Sequence, residues 1–218
     1  MMNLLKNFGA ACVAFSAFAT CSGAFAADVA PAPAPAAKSN SLSIELSPEW
    51  KTSNGVWADD YFKLGYSHTF DNNIVWGAAY QHTFRDTNSA DQIETSLGYK
   101  LKSGAFTITP SMLLGYGFGD QPRINPANNF DPELYYAVAL GADIKLDDHW
   151  TWNALNARYR NAFNVTWITP KVSTGITYKI DGSNSLYANV GYAWKDKGDG
   201  KGLLGDKWNV AVGYKFAF

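Results

Sequence analysis

Trp208-Asn209-Val210-Ala211-Val212-Gly213-Tyr214-Lys215-Phe216-Ala217-Phe218 closes the sequence and alternates strictly. Trp208, Val210, Val212, Tyr214, Phe216 and Phe218 fall on one face. Asn209, Ala211, Gly213, Lys215 and Ala217 fall on the other. A period of two over this length predicts a β-strand. The polar face carries small residues and one long cation, while the apolar face is aromatic at its ends. That distribution suits a strand with lipid on one side and a barrel lumen on the other. The competing reading is the closing strand of a soluble barrel.

Working outward, the same alternation recurs ten times from Leu42 onward. The segments are Leu42–Trp50, Trp57–Phe70, Ile74–Phe84, Gln92–Leu101, Ala105–Gly117, Glu133–Leu146, His149–Asn161, Val165–Ile180, Ser185–Lys195 and Asp206–Phe218. Connections after the second, fourth, sixth and eighth are tight, as at Asp71-Asn72-Asn73 and Asp181-Gly182-Ser183. Those after the odd-numbered segments are mostly longer, above all Phe118 to Pro132. Short turns at one end and longer loops at the other predict an all-β antiparallel transmembrane barrel of about ten strands, with eight and twelve left open. In the seventh segment Trp150 and Trp152 share one phase and Leu155, Ala157 and Tyr159 the other, which predicts a bulge near Asn153–Leu155.

The 218 residues suffice for one domain, and only 17% are charged. No apolar run outside the N-terminus is long enough for a membrane-spanning helix. Net charge near neutral gives no argument for a nucleic-acid partner. Residues 1–26 read as a secretory signal: Lys6 is the positive region, Phe8 to Ala19 the apolar core, and Ala24 and Ala26 the small residues before a cut at Ala27. A lipidated start at Cys21 is the alternative, with Thr20 a poor fit. Cleavage at Ala26 removes both cysteines, Cys12 and Cys21. Residues 27–41 form a Pro/Ala-rich linker that favours polyproline II, and 42–218 form the barrel.

The outward phase names the lumen. Basic positions facing inward are Arg158, Arg160, Lys171, Lys179, Lys195 and Lys215. Acidic ones are Glu45, Glu49, Glu94 and Asp143, with Lys63, Lys100, Glu133, Lys145 and Asn156 also in phase. The last four segments thus carry inward cations and no inward acid, and the first carries two acids. Either these charges pair and plug a narrow lumen, or they line a wet channel with opposed sectors.

Two resemblances add to this. The final ten residues resemble the C-terminal signal of bacterial outer-membrane barrels, where a terminal Phe is read by the assembly machinery. That implies secretion to the outer membrane of a Gram-negative cell, with lipid, lipopolysaccharide, periplasmic chaperones and the barrel assembly machinery as partners. Asn156-Ala157-Arg158-Tyr159-Arg160 resembles the Arg-Tyr-Arg strand of small monomeric porins of the oligogalacturonate-specific type. In that family inward basic tracks guide acidic oligosaccharides, which implies a guiding role for Arg158 and Arg160, with Lys171. The family has twelve strands and a denser basic lining.

No enzyme is expected. Tyr80-Gln81-His82 is similar to the lipid A deacylase motif, but that motif has Ser two residues after its His, where this chain has Phe84. His68 shares the lipid phase with Tyr66 and Phe70, and His149 sits in a turn. No Cys or His/acid spacing suggests a metal, and no cofactor is expected. The leading expectation is a small porin-like channel for hydrophilic, acidic solutes. Its rivals are a sealed structural or adhesive barrel and a lipid-modifying enzyme using His82.

Overall fold

The structure, a computed structural model, describes residues 39–85, 89–119, 133–163, 168–197 and 202–218. The expected signal, its cleavage site, most of the linker and most of the connection at 118–132 lie outside these residues. The described strands are β1 (Asn40–Lys51), β2 (Trp57–Thr69), β3 (Ile74–Phe84), β4 (Ser89–Tyr99), β5 (Leu101–Ser103), β6 (Phe106–Gly119), β7 (Glu133–Lys145), β8 (Trp150–Ala162), β9 (Lys171–Lys179), β10 (Asn184–Asp196) and β11 (Leu203–Ala217). All neighbours pair antiparallel. β1 pairs with both β2 and β11, and β4 pairs with β6, so the sheet closes on itself. β4 and β5 are two pieces of one stave on β6. Pro110, which has no N–H, lies in β6 between the two stretches of ladder. The barrel therefore has ten staves.

The alternation that predicted these strands is the alternation of their burial. In β6 the exposed positions include Phe106, Ile108, Met112, Leu114 and Tyr116, with Met112 at 70%. The intervening Thr107, Thr109, Ser111 and Leu113 are buried. The molecule is polar inside and apolar outside. Its buried set is dominated by Ser, Thr, Asn, Gln and charged residues, while the large hydrophobics stand on the exterior. Such an exterior is stable only against lipid. Aromatic pairs band it at both ends. Trp50–Trp208 and Tyr192–Trp194 lie at the loop end, with centroids 4.4 and 4.7 Å apart. Trp150–Tyr178 and Phe216–Phe218 lie at the turn end, at 4.6 and 5.8 Å.

Both termini of the ring meet at the turn end, where Asn40 and Phe218 exchange backbone hydrogen bonds of 3.1 and 2.9 Å. The tight turns there are built by local acceptors. Asp147 Oδ1 accepts from the backbone N–H groups of His149 and Trp150, and Asp181 Oδ1 from those of Ser183 and Asn184. Asn73 and Gly104 supply the left-handed residues of the other two turns, at φ 65° and 58°.

The bulge falls where the phase change predicts it. Leu155 pairs with Ala142 and Asn153 with Asp143, leaving Ala154 between them. The insertion lets Trp150, Trp152, Leu155 and Tyr159 all face outward and turns Asn156 and Arg158 inward. Two boundaries differ. The first strand begins at Asn40, two residues before Leu42, because Asn40 is held by Phe218. The strand expected from Val165 is described only from Lys171, since Pro170 has no N–H to add to the ladder. Residues 164–167 lie outside the described set.

Candidate functional site: a charged lumen

Glu94 sits on β4 opposite Gly115 of β6, and Gly115 in turn lies opposite Tyr135 of β7. Without a side chain at 115, the Tyr135 ring lies flat across β6. A Cβ there would collide with the ring carbons and hydroxyl of Tyr135. Tyr135 Oη reaches Glu94 Oε1 at 2.9 Å and Gln92 Oε1 at 3.2 Å. From the opposite side, Arg158 Nη2 donates to Glu94 Oε1, and Lys63 Nζ stands 3.9 Å from Glu94 Oε2. The guanidinium carbons of Arg158 and Arg160 lie 5.9 and 5.3 Å from the Tyr135 centroid, within cation–π range. Arg158 and Arg160 can lie flat because their ladder partners on β7 are Ala139 and Ala137. These groups form one ion-paired cluster inside the lumen, the Glu94 plug of the proposal below. Enlarging position 115 should break it: Gly115→Val must displace a rigid ring, so we expect a loss of about 1–3 kcal/mol, read by urea unfolding in lipid vesicles, with Gly115→Ala between it and wild type.

Nearer the loop end, a second cluster centres on Glu49. Tyr61 Oη donates to Glu49 Oε1. Lys207 Nζ binds Glu49 Oε2 at 2.9 Å and also Asp59. Lys171 Nζ lies 3.5 Å from Glu49 and 3.1 Å from Tyr61 Oη. Arg85 Nε stands 3.4 Å from Asp59. At the turn end Asp143 accepts from Asn153 Nδ2 at 2.9 Å, and Thr177 Oγ1 donates to Asn153 Oδ1 at 2.9 Å. Lys215 and Lys100 are close enough to act electrostatically on Asp143.

Opposed charge sectors do exist in strand order, with cations from β8, β9 and β11 and acids from β1, β2 and β4. The ring is narrow enough that they meet. Arg158 pairs with Glu94 rather than with Glu45 or Glu49, the partners expected had the plug formed. Glu45 is buried and lies opposite Lys63 in the β1–β2 register. Lys215 is buried in the lumen, and Lys179 is half-buried at the turn end. Lys195 differs from expectation. After the register shift at Ala193/Trp194 it emerges at the rim, 46% exposed, paired with Asp206 at 2.7 Å. Lumen positions not read from the sequence are Asp59, Tyr61, Lys207, Gln92 and Tyr135. The first two continue the phase of Lys63, and Lys207 continues that of Asn209. Of the terminal segment, Trp208, Val212, Tyr214, Phe216 and Phe218 stand exposed on the exterior, and Val210 is half-buried.

Between the Glu94 plug and the loops lies a cavity of about 100 Å³, lined by residues that include Arg85, Arg158, Arg160, Lys171 and Lys207 with Glu49, Asp59 and Asp206. On the exterior, His82 Nδ1 bonds Asp91 Oδ1 at 2.7 Å, Tyr80 Oη donates to the same atom at 2.6 Å, and Phe84 packs edge-on against the imidazole. Tyr66-Ser67-His68-Thr69-Phe70 repeats the pattern of Tyr80-Gln81-His82-Thr83-Phe84. There Tyr66 and His68 share Asn40 Oδ1, and Phe70 again lies edge-on to the imidazole. One copy lies at each aromatic band, as interfacial residues do.

No protein-family model matches the sequence, and no curated protein is significantly similar to it. Several solved structures resemble it in part. The β-domain of the Bordetella autotransporter BrkA superposes with a TM-score of 0.51 at 9% identity, over 84% of this chain and 100% of that one. The KdgM porin gives 0.43 at 16% identity, over 81% and 99%. The CymD monoaromatic hydrocarbon channel gives 0.43 at 12%, over 74% of this chain and 52% of that one, so this chain spans about half its length. The protein is an antiparallel transmembrane β-barrel of ten staves.

Proposed function

We propose that this chain is a small porin-like barrel of the bacterial outer membrane, a conduit for hydrophilic, acidic solutes that is shut at rest by the plug on Glu94. The observation that carries this is the double position of Arg158, which lines the loop-end cavity and is also the cation of the plug. A conduit with its barrier made of ion pairs opens when the pairs part, because a buried unpaired charge recruits water. The apolar exterior, the termini at the turn end and the longer connections at the other end support an outer-membrane orientation with loops outside. The sealed structural barrel is the second reading, favoured by the same pairing. Planar-bilayer recording separates them. Rare openings in wild type that become frequent in Glu94→Gln support the conduit. Silence in both leaves the sealed barrel.

On this reading the terminal Phe218 serves assembly. It is one lipid-facing side chain of many, so its burial contributes only about 1.5–3 kcal/mol. Deleting it should cut the amount of heat-modifiable, folded protein in the outer membrane severalfold, while the fraction that does fold unfolds near the wild-type urea midpoint. Unchanged yield would remove the assembly role.

A further inference from the structure

The exterior of the closing staves carries an open groove over Ala188. Leu46, Val212, Ala188 and Ile176 stand side by side on β1, β11, β10 and β9. Leu46, Val212 and Ile176 project large apolar side chains, and Ala188 leaves a dent among them. Ala78, Ala142 and Ala157 also occupy outward positions, but they are half-buried, whereas Ala188 is exposed. One row nearer the turn end, Tyr214, Leu186, Tyr178 and Trp150 continue the groove into the aromatic band. Two residues of strand, about 7 Å, separate the rows. A barrel is convex outside, so a second barrel meets it along a line and does not fill a dent one side chain deep. A thin, flexible hydrocarbon chain does, and the aromatic band places the turn-end mouth of the groove at headgroup level.

His149 stands exposed at that mouth. Its ring stacks on Tyr178, with centroids 5.8 Å apart and planes at 25°, and Tyr178 packs in turn on Trp150 at 4.6 Å. His149 Nδ1 lies 2.9 Å from the carbonyl oxygen of Lys179. A carbonyl only accepts, so Nδ1 carries the proton and the neutral ring keeps Nε2 as an acceptor. The phosphate and ester oxygens of a lipid cannot donate to that atom, and a primary ammonium can. The charge around it agrees. On the two turns beside His149, Asp147, Asp148 and Asp181 outnumber Lys145 and Lys179, which favours a headgroup ending in a cation over one with net negative charge. We propose that the groove and His149 form a binding site for a phospholipid with a primary ammonium headgroup, one acyl chain lying over Ala188 and the ammonium donating to His149 Nε2. The site is on the exterior, so it stands or falls independently of whether the lumen conducts.

The test is native mass spectrometry of the detergent-folded barrel with three probes of identical acyl chains: phosphatidylethanolamine, phosphatidylcholine, whose quaternary ammonium has no N–H, and phosphatidylglycerol, which has no ammonium. We expect the first to be retained at least fivefold more than either of the others. His149→Phe keeps a ring on Tyr178 and removes the acceptor, and should bring phosphatidylethanolamine down to the level of phosphatidylcholine. Ala188→Leu fills the dent and should lower retention of all three severalfold. Folding of both variants is checked by heat-modifiable mobility. Equal retention of the three lipids by wild type overturns the site, as does a preference that survives in His149→Phe or retention unchanged in Ala188→Leu. A two-barrel mass in place of lipid adducts, lost in Ala188→Leu, would give the groove to a second copy and overturn the lipid.

Discussion

Glu94→Gln should destabilise the barrel by about 3–5 kcal/mol, the cost of leaving buried cations without their counter-charge. Three cations crowd this carboxylate: Arg158 in direct contact, Lys63 at 3.9 Å, and Arg160 sharing the Tyr135 face with Arg158. The amide keeps the shape and removes the charge, so packing is not the variable. The double variant Glu94→Gln/Arg158→Gln removes the principal cation as well. It should recover most of the loss, because a buried pair taken out whole is close to neutral. Urea unfolding in lipid vesicles, followed by tryptophan fluorescence, gives both numbers. A double variant no better than the single one would show that Arg158 and Glu94 are not coupled, and the plug would then be no more than crowded side chains.

The triple variant Arg158/Arg160/Lys171→Ala should turn a mostly silent barrel into a cation-selective leak. It deletes the plug's principal cation and one of the cations on Glu49, and leaves Glu94 and Glu49 as carboxylates in a widened lumen. Glu94→Gln does the reverse and strands cations. The two variants should therefore show reversal potentials of opposite sign across the same salt gradient. Both potentials should shrink with salt, since exposed charges are screened over about 10 Å at 0.1 M. A wild type that conducts freely, with the triple variant only shifted toward cations, would mean the lumen is open at rest and the ion pairs mere lining. Equal signs in the two variants would discard the charge argument altogether.

Strand number and phase were readable because lipid and lumen impose a chemical alternation on every stave. Even the bulge at Ala154 was visible, since Trp152 and Leu155 both had to face lipid. Pairing across the lumen was not readable. Whether Arg158 meets Glu94 or Glu49 depends on the stagger of staves far apart in the ring, which no local pattern encodes. Tyr135 was missed for a related reason. It occupies a lumen phase but is aromatic, and its role depends on Gly115, twenty positions earlier and one stave over. Lys195 lies at the loop-end rim on Asp206, the extra residue of β11 at the Ala193/Trp194 shift, and the alternation within β10 gives no sign of that insertion on its neighbour.

The first and last staves join where Trp50 and Trp208 stack at 4.4 Å and 18°. They are separated by most of the chain, so their rings meet only when the ring of strands is complete. Two indoles stacked at that distance couple their electronic transitions, and wherever the transition dipoles are skewed the ultraviolet band splits into a signed pair. The closing joint thus carries its own chromophore: circular dichroism sees closure as a couplet, distinct in wavelength and time from the signal of strand formation.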